Sequence, residues 1–248
     1  VHVDPRVRPL GEGTDHVAYE INGDVVVRVS RRPAPAGPEA RLLSLVADVS
    51  PLPTPRVIFA DDHLLAYRRL PGVPLLDLPR GDELPVARRL GTLLRALHAI
   101  PAARVSALVP ADEDPPSTWL AGLTPVPAAA AFLAAPPPPP AANLVFSHND
   151  LGIEHVLVDP DSHEITGIID WSDAALVDPA CDFGRILRDL GPAALDAAAE
   201  SYGGEVSRPR ALFYARCGAL EDLAYGLETG KATYADKATA SLGWLFPG

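Results

Sequence analysis

Two short apolar runs joined by a tight turn constrain this chain more than any other stretch: residues 146–158 (FSHNDLGIEHVLV) and the answering Ile168-Ile169-Asp170-Trp171. Leu144-Val145-Phe146 delivers His148-Asn149-Asp150 into a loop, Val156-Leu157-Val158 reads as a short buried strand, and Asp159-Pro160-Asp161 turns the chain. A second apolar strand, residues 165–169, ends on Asp170. Strands connected in this way put Asp150 and His155 at one end of a hairpin and return Asp170 to that end. Phosphoryl transfer needs such a set: one carboxylate to take the proton of an attacking hydroxyl, and further ligands for a metal that bridges nucleotide phosphates. A plain buried hairpin with aspartates in its turns is the alternative.

His148-Asn149-Asp150, followed by His155 and then Asp170, resembles the H-x-D-x-x-x-x-N catalytic loop and metal-binding Asp of the aminoglycoside phosphotransferase-like family. These are small-molecule kinases with a protein-kinase-like fold. His155 stands where most of the family has Asn; in this, and in the run TGIIDWSDAALVDPACDFGRIL (residues 166–187), the chain is similar to the macrolide phosphotransferase branch. Asp182-Phe183-Gly184 is a decoy for the protein-kinase DFG and resembles the family's D-P-x-x-D structural segment. The resemblance implies a bilobal α+β fold: a small antiparallel-sheet N-lobe at residues 1–70, which binds nucleotide, and a larger, mainly helical C-lobe at residues 71–248 with the catalytic loop and acceptor site. It implies Asp150 as catalytic base, His155 and Asp170 as metal ligands, and His148 as a brace for the loop. The donor would be ATP or GTP with Mg²⁺, or Mn²⁺ because an imidazole replaces the usual oxygen ligand.

The N-terminal part carries the rest of the expected nucleotide site. Leu10-Gly11-Glu12-Gly13 reads as a flexible turn ahead of a strand–Asn22-Gly23–strand hairpin, and Gly11 and Gly13 would belong to the loop over the triphosphate. There is no lysine in this part, since Lys231 and Lys237 are the only two in the chain. Arg28, flanked by Val26, Val27 and Val29, is then the candidate for gripping the phosphates, a fork that can hold two oxygens at once. Pro38 and Glu39 open a helix with Leu42, Leu43, Val46 and Val49 on one stripe. The resemblance pairs Glu39 with Arg28; a glutamate that only favours the helix dipole is the competing reading. Residues 55–60 and 64–70 read as two strands completing a small five-stranded sheet. Leu70-Pro71-Gly72-Val73 resembles the family's hinge, where backbone groups from Arg69 through Leu70 to Val73 would meet the purine edge.

Residues 82–99 read as an amphipathic helix ending on His98, a satisfied helix-end histidine rather than a ligand. Residues 101–143 are Pro- and Ala-rich, with short helical stretches at 116–122 and 127–135. Beyond Asp182 the pattern is helical to the end, with Glu221, Asp222 and Glu228 on a helix that starts near Pro209. Residues 226–232 (GLETGKA) imitate a phosphate-binding loop, but the glycine spacing is wrong and Ala232 replaces the required Ser or Thr.

Charge narrows the partners. Residues 1–72 hold nine basic and nine acidic side chains, so the formal net charge of −11 belongs wholly to residues 73–248. That excess disfavours nucleic acid and anionic membrane and favours a cationic ligand. No apolar run reaches the length of a membrane span, and Cys181 and Cys217 read as two buried cytosolic thiols, so a cytoplasmic monomer or dimer is expected. The activity the resemblance implies is transfer of the γ-phosphoryl group to a hydroxyl of a small molecule, an antibiotic (macrolide-like first, aminoglycoside-like second) or related glycosylated metabolite. Its rivals are a catalytically silent nucleotide-binding protein and a kinase of a primary-metabolite alcohol or sugar.

Overall fold

The computed structural model describes residues 5–12, 16–31, 36–112 and 114–247. Strands β1 (Val7–Glu12), β2 (His16–Ile21) and β3 (Val25–Ser30) are followed by helix α1 (Gly37–Val49) and strands β4 (Val57–Ala60) and β5 (Leu64–Arg68). The five strands form an antiparallel sheet in the order β1-β2-β3-β5-β4. Asn22 and Gly23, with φ of 55° and 79°, make the mirror-image turn that matches the twist of the β2–β3 hairpin. Helix α1 carries Pro38 in its first turn and buries Leu42, Leu43 and Val46. Its first turn thereby brings Glu39 to the sheet position where Arg28 lies opposite Ala18 of β2 and Leu65 of β5.

The connection out of this sheet is pinned rather than loose. Strand β6 (Val73–Pro74) pairs with β8 (Val156–Val158), which pairs in turn with β9 (Ile165–Ile168), so the segment after the first sheet is stitched to the hairpin of the central signature. Gly72 holds φ at 93°, and a Cβ there would lie 2.3 Å from Thr166 Oγ1 and 2.5 Å from the Val158 carbonyl oxygen. Only glycine fits this close approach.

Helix α2 (Leu84–His98) buries Val86, Ala87, Leu90, Leu93, Leu94 and Leu97 as one stripe. After the short helices α3 (Ala102–Val105) and α4 (Ala130–Ala134), strand β7 (Val145–Ser147) leads into the central loop and pairs with β10 (Ala175–Val177). Four helices complete the chain: α5 (Ala180–Leu190), α6 (Pro192–Tyr202), α7 (Arg208–Thr229) and α8 (Ala232–Leu245). One contiguous core runs from Leu42, Leu43 and Leu65 through Leu75 and Leu94 to Phe146, Trp171 and Phe183.

The architecture is thus an antiparallel sheet region followed by a mainly helical part, as the resemblance implied. Two local readings need correction. Leu10, Gly11 and Glu12 are not a turn but the end of β1, with Gly11 opposite Ala18 and a register shift after Pro9. Residues 175–177 form a strand, which their sequence did not announce. Gly13 lies outside the described residues.

Candidate active site

Two loops meet where the hairpin was expected to gather its polar ends. The first follows β7, the second follows β9, and each is turned by a non-glycine residue in the left-handed region: Asn149 with φ of 68° and Asp170 with φ of 62°. Asn and Asp tolerate that region better than other side chains, and such backbone conformations cluster at functional sites. Asn149 Nδ2–H donates to the Asp173 carbonyl at 3.1 Å, which ties one loop to the other.

His148 lies beneath both loops, fully buried. Its Nε2–H donates to the Ile169 carbonyl at 3.0 Å, and its backbone N–H donates to Asp182 Oδ2 at 3.0 Å. Its ring packs on Trp171 at 4.6 Å between centroids. Burial lowers its pKa to about 4, so it is a neutral brace. Asp182, the first residue of the decoy triplet, is the anchor for the loop backbone, and burial raises its pKa to about 7.

The predicted reactive set converges. His155 Nδ1 lies 2.8 Å from the Asp150 carbonyl oxygen, so it carries the proton, and the lone pair sits on Nε2. That nitrogen is 3.8 Å from Asp170 Oδ2, while Asp150 Oδ2 lies 3.5 Å from Nδ1. Burial opposes a charge on His155, but the carboxylates of Asp150, Glu154 and Asp170 outweigh it and lift the pKa above the ordinary histidine value. Burial likewise opposes ionisation of Asp150 and Asp170. Arg185 and His155 around Asp150, and Ser172, His155 and Arg28 around Asp170, nevertheless hold both below the usual carboxylate range. A field that favours a proton on Nε2 also favours a divalent cation there. One imidazole nitrogen and one carboxylate, from His155 and Asp170, could hold such an ion. Among the described residues, no group of three or more His, Cys, Asp or Glu forms a metal-holding cluster.

Arg28 reaches into the same space from the sheet. Its Nη1 forms an ion pair with Glu39, and its Nη2 lies 3.2 Å from His16 Nδ1 and 4.0 Å from Asp170 Oδ1. Where the hinge was expected, the Arg69 N–H donates to the Asp24 carbonyl at 2.8 Å and its side chain pairs with Glu20 at 2.9 Å. The carbonyl of Pro71 accepts from Thr166 Oγ1 at 2.7 Å. Leu70 packs over Gly167, and Val73 is held in register with Val158.

Sequence reasoning missed three contributors. Ser172 Oγ–H donates to Asp170 Oδ1 at 2.6 Å. Arg185 of α5 brings Nε to 3.9 Å from Asp150 Oδ1 and faces the Trp119 ring at 5.8 Å. His16 supports Arg28. Only Ser172 had a local signal, a hydroxyl two residues after the aspartate. Of the acidic residues on α7, Asp222 turns inward to pair with Arg188 and Lys237, so it does not face an acceptor.

A sheet with one supporting helix, a stitched connection out of it, and a helical part whose loop gathers Asp150, His155 and Asp170 define a protein of kinase-like phosphotransferase architecture. Residues 6–214 match the model of the phosphotransferase enzyme family, APH, and the chain belongs to that family. Among solved structures, it is similar to the GDP and kanamycin complex of an APH(2") enzyme, at a TM-score of 0.73 and 21% identity over 98% of this chain and 93% of that one. It is also similar to the apoenzyme of the macrolide 2'-phosphotransferase MphH from Brachybacterium faecium, at a TM-score of 0.68 and 26% identity over 98% and 92%. Macrolide 2'-phosphotransferase type I gives a TM-score of 0.68 and 26% identity over 97% and 91%. A search of curated protein sequences gives no match.

Proposed function

We propose that this phosphotransferase moves the γ-phosphoryl group of ATP or GTP to a hydroxyl of an antibiotic or related glycosylated metabolite, macrolide-like before aminoglycoside-like. The observation that carries the reading is the convergence of Asp150, His155 and Asp170 on one space that Arg28 enters from the sheet. Asp150 takes the proton of the acceptor hydroxyl as its oxygen bonds to the γ-phosphorus. The bond from that phosphorus to the β-phosphate bridging oxygen breaks, and a nucleoside diphosphate leaves. Arg28, positioned by Glu39, holds phosphate oxygens; residues 1–70 act as the nucleotide lobe, and residues 71–248 supply the loop and the acceptor site. Gly11, Arg69, Leu70 and Val73 border the nucleotide. His155 and Asp170 would hold Mg²⁺ or Mn²⁺, which offsets charge on the phosphates.

His155 in the Asn position and the two macrolide phosphotransferases at 26% identity support the macrolide-like order of acceptors. The acidic excess of residues 73–248 supports a cationic acceptor, and a cytoplasmic location fits two free buried thiols. The test is a phosphate-transfer screen of hydroxylated macrolides and aminoglycosides with ATP and with GTP. A phosphorylated macrolide is the expected product. Transfer to none of them, with turnover on a simple alcohol or sugar, would overturn the acceptor assignment.

A further inference from the structure

We infer that a buried ion cluster centred on Lys237 of the last helix positions the catalytic loop, an inference that rests on the reading of that loop given above. Lys237 is one of only two lysines in the chain, and its side chain is 1% exposed. Its ammonium lies 2.9 and 3.1 Å from the two oxygens of Glu154, 3.0 Å from Asp222 and 3.5 Å from Asp189. Arg188 completes the cluster with two hydrogen bonds to Asp189, at 2.6 and 2.8 Å, and an ion pair to Asp222 at 3.1 Å. Three carboxylates thus surround two cations, and the residues come from α5, α7, α8 and the loop itself.

The loop is gripped at two successive residues. Asp189 Oδ2 accepts from the Ile153 N–H at 3.1 Å, and Glu154 is held by Lys237. Glu154 directly precedes His155 and follows Asp150 by four positions. Its carboxylate tucks under the loop so closely that a Cβ on Gly152 would meet it at 2.6 Å. A compact ammonium with three donors suits three converging carboxylates, whereas a planar guanidinium cannot point at all three. Replacing such a cluster by apolar side chains is often neutral or stabilising, so stability alone does not account for it. What it supplies is direction: it fixes where Ile153 and Glu154 sit, and with them Asp150 and His155. Lys237 is therefore a positioning residue that touches no substrate.

The test uses the full chain with Lys237→Met, Glu154→Gln and the double variant. Lys237→Met should lower kcat ~10-fold or more, the scale of a small misplacement of catalytic groups. The nucleotide KM should stay within about twofold, and the near-UV spectrum should be that of the wild type. The ring-nitrogen NMR signals of His155 should shift or broaden, since its contact with the Asp150 carbonyl depends on the loop. The double variant, which lacks both partners of the same contact, should lose no more than Lys237→Met alone. Should Lys237→Met not fold, Glu154→Gln carries the same two readouts. Unchanged His155 signals, or a kcat per folded molecule equal to that of the wild type, would overturn the inference. A wild-type protein that phosphorylates no acceptor would defeat the functional reading instead, and the His155 signals would still decide the positioning.

Discussion

His155 is the residue where this chain departs from the family motif it otherwise follows, and its geometry makes the departure testable. Because Nδ1 is committed to the Asp150 carbonyl at 2.8 Å, Nε2 is left as the only ring atom that can face a cation beside Asp170. Nitrogen ligands favour Mn²⁺ over Mg²⁺, which prefers oxygen. Wild-type turnover with Mn²⁺ should therefore equal or exceed that with Mg²⁺, and His155→Asn should move the preference toward Mg²⁺. Measuring both proteins with each metal checks this, and identical preferences would make His155 a packing residue. Asp150, His155 and Asp170 were legible in the sequence because their spacing relative to two apolar runs is local. The pairing of Arg28 with Glu39 was legible because no lysine stands in the first part of the chain and because helix N-termini announce themselves. Arg185 and His16 were not: Arg185 reaches Asp150 only once α5 packs against the loop, and His16 reaches Arg28 only through the register of the β2–β3 pair.

Helix α2 shows how an element end becomes a joint. His98, near its C-terminus, lies 3.2 Å from Ser147 Oγ at the end of β7 and 3.2 Å from the Tyr202 hydroxyl at the end of α6. Burial lowers its pKa from 6.5 to about 4, so the folded protein holds it neutral where the unfolded chain would take up a proton. Its contribution is fully present above the unfolded pKa of 6.5 and is lost as pH falls toward 4. The linkage is worth roughly 3 kcal/mol over that window. Urea unfolding across this range should show a shallower loss of stability in His98→Gln than in the wild type; equal slopes would contradict it. The long elements were readable because α1 and α2 carry one apolar stripe each and the β2–β3 hairpin carries Asn22-Gly23. Strand β10, three residues long, has no room for a period, and the β1 end was misread because Gly11 looks like a turn residue until β2 pairs with it.

At the scale of the whole molecule, the uneven charge is the property most exposed to solvent conditions. Part of the acidic excess of residues 73–248 is internal, since Glu154, Asp189 and Asp222 are matched against Arg188 and Lys237 within the fold. Glu221 remains exposed on α7, beside Arg185. If the acceptor is cationic, its KM should rise as salt approaches 1 M, where the Debye length is ~3 Å; a salt-independent KM would indicate a neutral acceptor. The central claim is that Asp150 is the base of a phosphoryl transfer whose other groups bind the nucleotide, and replacing that carboxylate by a neutral side chain tests it most directly. Asp150→Ala, assayed for turnover and for nucleotide affinity in the same preparation, should lose ~10²-fold or more in kcat while binding nucleotide as the wild type does. Near wild-type turnover in that variant would contradict the account.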